Sequence, residues 1–360
     1  MAARDLVQRA PAPWESRQGA VAFIDPAFPD VLGHDLVIDL LRVAGGQEVT
    51  SSRTVSDAQF KLIDRHRCVP LIPEQWTCSP GRREAQTRAL VLLRMSLEAT
   101  MKQVSKLLRE VDIEPVVLKG LATSRMDYAH PDLRHTGDID LLVRPEQLQD
   151  AVASLAAAGF TPKDPVQLNE EFLKGETMVS GGGIEIDIHT RMTIVGGPLE
   201  ESAIEDPPPI DGLGARSFPL ELRLVHAASH FFFGPPQHRR MSGLADISAI
   251  RRSPTLSLSK ARDLAAKAGL EASTFVGLAV EGQLMGREMS DLAGWQEPAG
   301  LLRLGYLRSK RNRLGEQLFI ASAQPNVAAR LRYVKQKALP TTATRRQRGG
   351  FLEYARGQTR

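Results

Sequence analysis

Two short segments alternate between acid and hydrocarbon, and they commit this chain to a fold with a sheet carrying one chemically active face. The first is Gly137-Asp138-Ile139-Asp140-Leu141-Leu142-Val143, and the second is Ile184-Glu185-Ile186-Asp187-Ile188-His189. Successive side chains of a strand point to opposite faces, and residues two apart share a face roughly 6.6 Å apart along the chain. Asp138 and Asp140 therefore share one face, while Ile139, Leu141 and Val143 enter a core. Glu185, Asp187 and His189 likewise share a face opposite three isoleucines. Carboxylates flanked by Ile, Leu and Val are costly to bury unless a cation or a proton compensates. Two strands of this kind suit a two-metal site for phosphoryl transfer.

The remaining pattern is dominated by helix. Apolar residues from Ala89 to Leu108 recur on one face and predict a long helix over 82–111. Shorter helices are expected over 34–43 and 55–66. A strand at 113–118 leads to a turn at Gly120 and a helix ending near Tyr128. Pro145 begins another helix that Gly159 stops, and Gly181-Gly182-Gly183 reads as a hairpin turn. Residues 1–30 lack periodicity and read as a loose lead-in. The run Asp206-Pro207-Pro208-Pro209 reads as a linker. Beyond it, 220–233, 244–250, 260–268, 272–285 and 327–334 all read as helix. This order argues for an α+β fold, a small mixed sheet with flanking helices and a helical C-terminal domain, rather than a wound parallel sheet. The expected divisions are a helical lead-in over 1–81, a core over 82–205, a helical domain over 206–340 and a flexible basic tail over 341–360.

Composition narrows the function classes. Charged residues form 24% of the 360 and the net charge is only +4, so global charge does not argue for nucleic acid. Arg and Lys instead concentrate between Arg303 and Arg348, a stretch able to touch RNA phosphates but poor in the aromatics that stack on bases. A solvated basic helix with a frayed tail is the plainer reading, so RNA is a possible partner and not the favoured one. Cys68 and Cys78 lack metal-type spacing, and a reducing cytoplasm is the expected setting. The first 20 residues contain no apolar core of a signal peptide. No run approaches the roughly 18 apolar residues of a membrane span.

Several residues are candidates for chemistry beside the acidic strands. At Leu118-Lys119-Gly120 a strand ends in a sharp turn, where glycine admits a phosphate close to the backbone. Lys119 there either pairs with a triphosphate or snorkels at the strand end. Arg134 suits bidentate phosphate binding, or an ion pair with Asp138 or Asp132. Of the second strand's acids, Asp187 is the better third carboxylate; Glu185 reads as a solvated strand residue. His189 is a possible substrate contact. His226 and His230 lie four apart on one helix, but their neighbours look like core, so hydrogen bonding to Asp246 or Arg240 is favoured over zinc. Asp246 is also placed to face a nucleotide from the second domain.

Taken together, LKG, a helix, R-x-x-G-D-I-D-L-L-V and an acidic strand ending D-x-H resemble the uncharacterised bacterial nucleotidyltransferase family of the DNA polymerase β-like superfamily. The resemblance covers roughly Arg82 to Asp246. It implies a mixed-sheet nucleotidyltransferase core with three carboxylates and two Mg²⁺ ions, Mn²⁺ being the alternative. Such a core transfers a nucleoside monophosphate from an NTP to an acceptor. By position, Asp138 and Asp140 would be the metal-binding pair and Asp187 the third acid. Lys119, Gly120, Arg134 and Gly137 would face the nucleotide. The superfamily's small hydroxyl residue after the glycine is Leu121 here, with Ser124 further on, which leaves Lys119 or Arg134 to hold phosphate. That departure also keeps open a silent nucleotide- or partner-binding protein. The acceptor is not named by the sequence: a small molecule, peptide, protein or RNA all suit these residues.

Overall fold

The structure is a computed structural model that describes residues 14–24, 28–79, 81–163, 175–192, 206–233, 240–298, 321 and 327–338. Helices α1 (Arg17–Ile24), α2 (Phe28–Val31), α3 (His34–Ala44) and α4 (Asp57–Arg65) precede the long α5 (Arg82–Arg109). Next come β1 (Val116–Val117), α6 (Leu121–Met126), β2 (Ile139–Leu142), α7 (Leu148–Ala157) and β3 (Thr161–Pro162). They are followed by β4 (Gly175–Val179), β5 (Glu185–His189), β6 (Pro209–Ile210) and β7 (Ala215–Ser217). Helices α8 (Leu220–Phe233), α9 (Met241–Arg251), α10 (Leu258–Lys267), α11 (Glu271–Met285) and α12 (Val327–Ala338) complete the described α-helices.

The expected α+β architecture with a mixed sheet is present. Among the described residues, the strands form one seven-stranded sheet in the order β3-β4-β5-β2-β1-β7-β6. The two acidic strands are parallel neighbours, with Ile139 opposite Ile186 and Asp140 opposite Asp187. On the other side of β2, β1 runs antiparallel, and the pairing continues past its end through Leu118 N–H to Asp140 O at 3.0 Å. That bond sets Lys119 beside the acidic strand. The Gly181–Gly183 turn joins β4 and β5 as an antiparallel hairpin, as its sequence predicts.

One face of the sheet is hydrocarbon. Ile139, Leu141, Ile186 and Ile188 are buried against Leu97, Met101, Val104 and Leu108 of α5 and against Leu148, Ala151 and Leu155 of α7. Complete burial of each large aliphatic contributes about 1.5–3 kcal/mol, enough to dictate which face turns inward. The acids are thereby driven to the opposite face. There Val116, Leu118 and Leu142 join a second core formed with the N-terminal helices and α8 to α11.

Two expectations are corrected. The N-terminal lead-in is not loose where it is described: Ala20, Phe23 and Ile24 are buried, and Phe23 packs on Phe231 at 5.7 Å between ring centroids. Eight residues are too few to display a helical period in sequence. Nor does the proline run leave the sheet, since Pro209 and Ile210 form its edge strand β6. An edge position tolerates the missing proline N–H. The basic C-terminal stretch falls outside the described residues apart from Ala321 and α12, and so does the tail over 341–360. No helix among the described residues is long and apolar enough to cross a membrane.

Candidate active site

The parallel register of β2 and β5 gathers the acids. Asp140 is 2% exposed. Its Oδ1 lies 3.2 Å from Lys119 Nζ and 2.9 Å from His189 Nε2. Asp187 is fixed from the other side, where Thr177 on β4 donates Oγ1–H to its Oδ1 at 2.6 Å. One ligand atom each from Asp140, Asp187 and His189 fall within 4.8 Å of one another. Two carboxylate oxygens and an imidazole nitrogen form a donor set that fits a divalent cation, the oxygens suiting Mg²⁺ or Mn²⁺ and the nitrogen suiting Mn²⁺ better. His189 Nδ1 is buried and hydrogen-bonds to no described residue, which is unusual for a buried polar atom.

Asp138 stands just ahead of β2, beside this group and not within it. Burial pushes its carboxyl above the usual range and the charge of Asp140 adds to the effect; Lys119, Arg67 and Arg134 oppose it. The tightest donor set among the described residues therefore joins His189 to Asp140 and Asp187, with Asp138 beside it. Glu185 is set apart, since Lys163 Nζ holds its carboxylate at 2.5 Å near the exposed side of the sheet.

The glycine turn is built as the sequence suggests. Gly120 has φ +58° and a Cβ there would sit 2.9 Å from Thr136 Cγ2, so a side chain is excluded on both counts. Lys119 Nζ reaches His230 Nε2 at 3.1 Å as well as Asp140. Thr136 Oγ1, packed over this turn, is buried and hydrogen-bonds to no described residue.

Arg134 and Asp246 were expected at the nucleotide, and the structure joins them to each other. Arg134 Nε and Nη2 bond the two oxygens of Asp246 at 2.9 and 2.7 Å, and Tyr128 Oη donates to the same carboxylate at 2.9 Å. Both side chains are almost buried. In a desolvated bidentate pair each charge offsets the other, and removing either partner strands the one that remains. His226 and His230 stack edge to face at 5.9 Å between ring centroids, and His230 Nε2 lies 3.1 Å from Lys119 Nζ.

Sequence reasoning missed Arg67. A Cβ at Gly137 would lie 3.3 Å from both of its terminal nitrogens, so the guanidinium rests on the backbone next to Asp138. His135 is also part of this region. Burial, then Arg67, Arg134 and Arg240, lower its imidazole pKa to about 4. Nothing in a linear pattern pairs residue 67 with residue 137. Thr177 was in principle accessible, because an antiparallel hairpin about Gly181–Gly183 sets it opposite Asp187.

A family model described as "Uncharacterised nucleotidyltransferase" matches residues 60–286, more than half of the chain. The chain belongs to that family of nucleotidyltransferases. No curated protein matches it. The match begins ahead of the sheet and includes the turn that carries Arg67.

Proposed function

We propose that this protein is a divalent-metal-dependent enzyme of the polymerase β-like type that moves a nucleoside monophosphate from an NTP to an acceptor. The observation that supports this most is the group of Asp140, Asp187 and His189 within 4.8 Å, in a chain of a nucleotidyltransferase family. Asp140 and Asp187, with Asp138 beside them and His189 as a further donor, would hold Mg²⁺ or Mn²⁺. When bound, such ions neutralise charge on the triphosphate and orient it for in-line displacement. Asp187, fixed by Thr177, accepts the proton of the acceptor's nucleophile. Lys119 and the Gly120 turn hold the β- and γ-phosphates. A bond forms between the acceptor and the α-phosphorus, the bond to the β-phosphate oxygen breaks, and pyrophosphate leaves.

As a working division, residues 82–205 form the catalytic core and 206–340 the helical domain, which contributes β6 and β7 to the core's sheet. We place the protein in the cytoplasm. Label transfer from α-labelled NTPs into cell extract tests the assignment. Wild-type protein should label an acceptor, and the Asp138→Asn/Asp140→Asn variant should not. Labelling by a folded double variant at the wild-type rate would refute the reading, and nuclease or protease sensitivity of the product would sort the acceptor class.

A further inference from the structure

We propose that Arg67, a residue outside the sheet, binds the β,γ-phosphate end of the nucleotide. This role rests on the nucleotidyltransferase reading above. Its first support is position. The guanidinium lies against Gly137, whose missing side chain leaves room for it, and Gly137 directly precedes Asp138. Lys119, which contacts Asp140, provides a second cation on the same acidic strand.

The second support is how the backbone presents the side chain. Arg67 has φ +57°, a left-handed conformation that few non-glycine residues adopt. It is the left-handed residue that caps the C-terminus of α4, with Arg67 N–H bonded to Asp64 O at 2.8 Å. On one side His66 is buried, its Nδ1 accepting Met241 N–H at 3.2 Å and its carbonyl accepting Ser242 N–H at 3.3 Å. On the other side Cys68 is fully buried, with its N–H bonded to Ile63 O at 3.0 Å. The turn after α4 is thus clamped to the start of α9, beside the strand whose Gly137 the guanidinium touches.

The third support is charge. Arg134 is committed to Asp246 by two short bonds. Arg67 is half-buried and is attracted by the carboxylates of Asp138 and Asp140. Arg240 lies close enough to repel it. A planar fork of donors in that setting suits a polyanion that also engages metal ions at the neighbouring acids.

Titration calorimetry with Mg²⁺-tripolyphosphate and with each of the four Mg²⁺-NTPs tests the role in full-length protein. The variants are Arg67→Gly, which suits the left-handed turn, and Arg67→Lys, which keeps the charge without the fork. We expect Arg67→Gly to keep or raise the melting temperature and to weaken tripolyphosphate binding tenfold or more, with Arg67→Lys between it and wild type. Mn²⁺ binding to the acids should not weaken in either variant. Tripolyphosphate affinity equal to wild type in a folded Arg67→Gly protein would overturn the role of Arg67 and leave the transferase reading standing. Failure of the wild type to bind tripolyphosphate or any NTP would overturn the transferase reading and this role with it.

Discussion

Asp140 and Asp187 stand abreast on parallel strands, register partners whose carboxylates are steadied from opposite sides by Lys119 and Thr177. The register is not free to slip. Moving either strand by one residue would send its acids into the hydrocarbon face and its isoleucines out of it. Hydrophobic burial of Ile139, Leu141, Ile186 and Ile188 therefore sets the spacing of the acids on the other face.

Thr177 should matter to metal binding without touching the metal. Its hydroxyl orients Asp187, and loss of such an outer partner typically costs about 10–100-fold in metal affinity or activity. Thr177→Val keeps the shape and removes the donor. We expect Mn²⁺ affinity, followed by paramagnetic resonance, to drop by about that factor, with a larger loss in Asp187→Asn. Equal Mn²⁺ affinity in Thr177→Val and wild type would show that Asp187 needs no positioning.

Much of this site could be read from the sequence because strand periodicity is local. Two-residue alternation alone placed Asp138, Asp140, Asp187 and His189 on one face, and the glycine turn followed from Leu118-Lys119-Gly120. What escaped depends on contacts between distant segments. The partner of Arg134 was not legible because Asp246 lies 112 residues away. Arg67 escaped because the turn that aims it is held by α9. The helix α1 escaped because its burial comes from partners such as Phe231, far along the chain. Pro209 resembled a linker because a proline run carries no sign that an edge strand will accept it.

Gly120 offers a test of the turn by its own geometry. Gly120→Ala must accept φ +58° and a contact of 2.9 Å with Thr136 Cγ2. The backbone strain and the overlap together should cost about 2–4 kcal/mol. Thr136→Ser removes Cγ2, so Gly120→Ala/Thr136→Ser should recover the steric part and leave the backbone part. Denaturant unfolding of the four proteins gives the coupling. Strict additivity would show that Thr136 does not close over the turn.

The Arg134–Asp246 pair should act on stability rather than on substrate affinity. Arg134→Met leaves a buried carboxylate uncompensated and should cost about 3–5 kcal/mol. Arg134→Met/Asp246→Leu removes both charges and should be less destabilised than the single variant, although Tyr128 then loses its acceptor. If the folded double variant showed a nucleotide KM raised tenfold with unchanged stability, Arg134 would belong to the phosphate site after all.

His135 gives the protein a predictable acid limb. Its pKa is lowered from 6.5 to about 4, first by burial and then by Arg67, Arg134 and Arg240. Between those two values the unfolded chain binds a proton that the folded chain does not, so stability rises with pH across that window. The contribution is complete above pH 6.5 and is lost as pH falls toward about 4. His135→Asn cannot titrate there, and its stability should decline less steeply from pH 6.5 to 4.5 than that of wild type, as read from urea midpoints. A polyphosphate held by Arg67 offsets part of the positive charge facing the ring and should raise the His135 pKa, visible as a shift of its ring-proton titration by NMR. Superimposable acid limbs in the two proteins would mean that His135 is not held neutral by this arginine cluster.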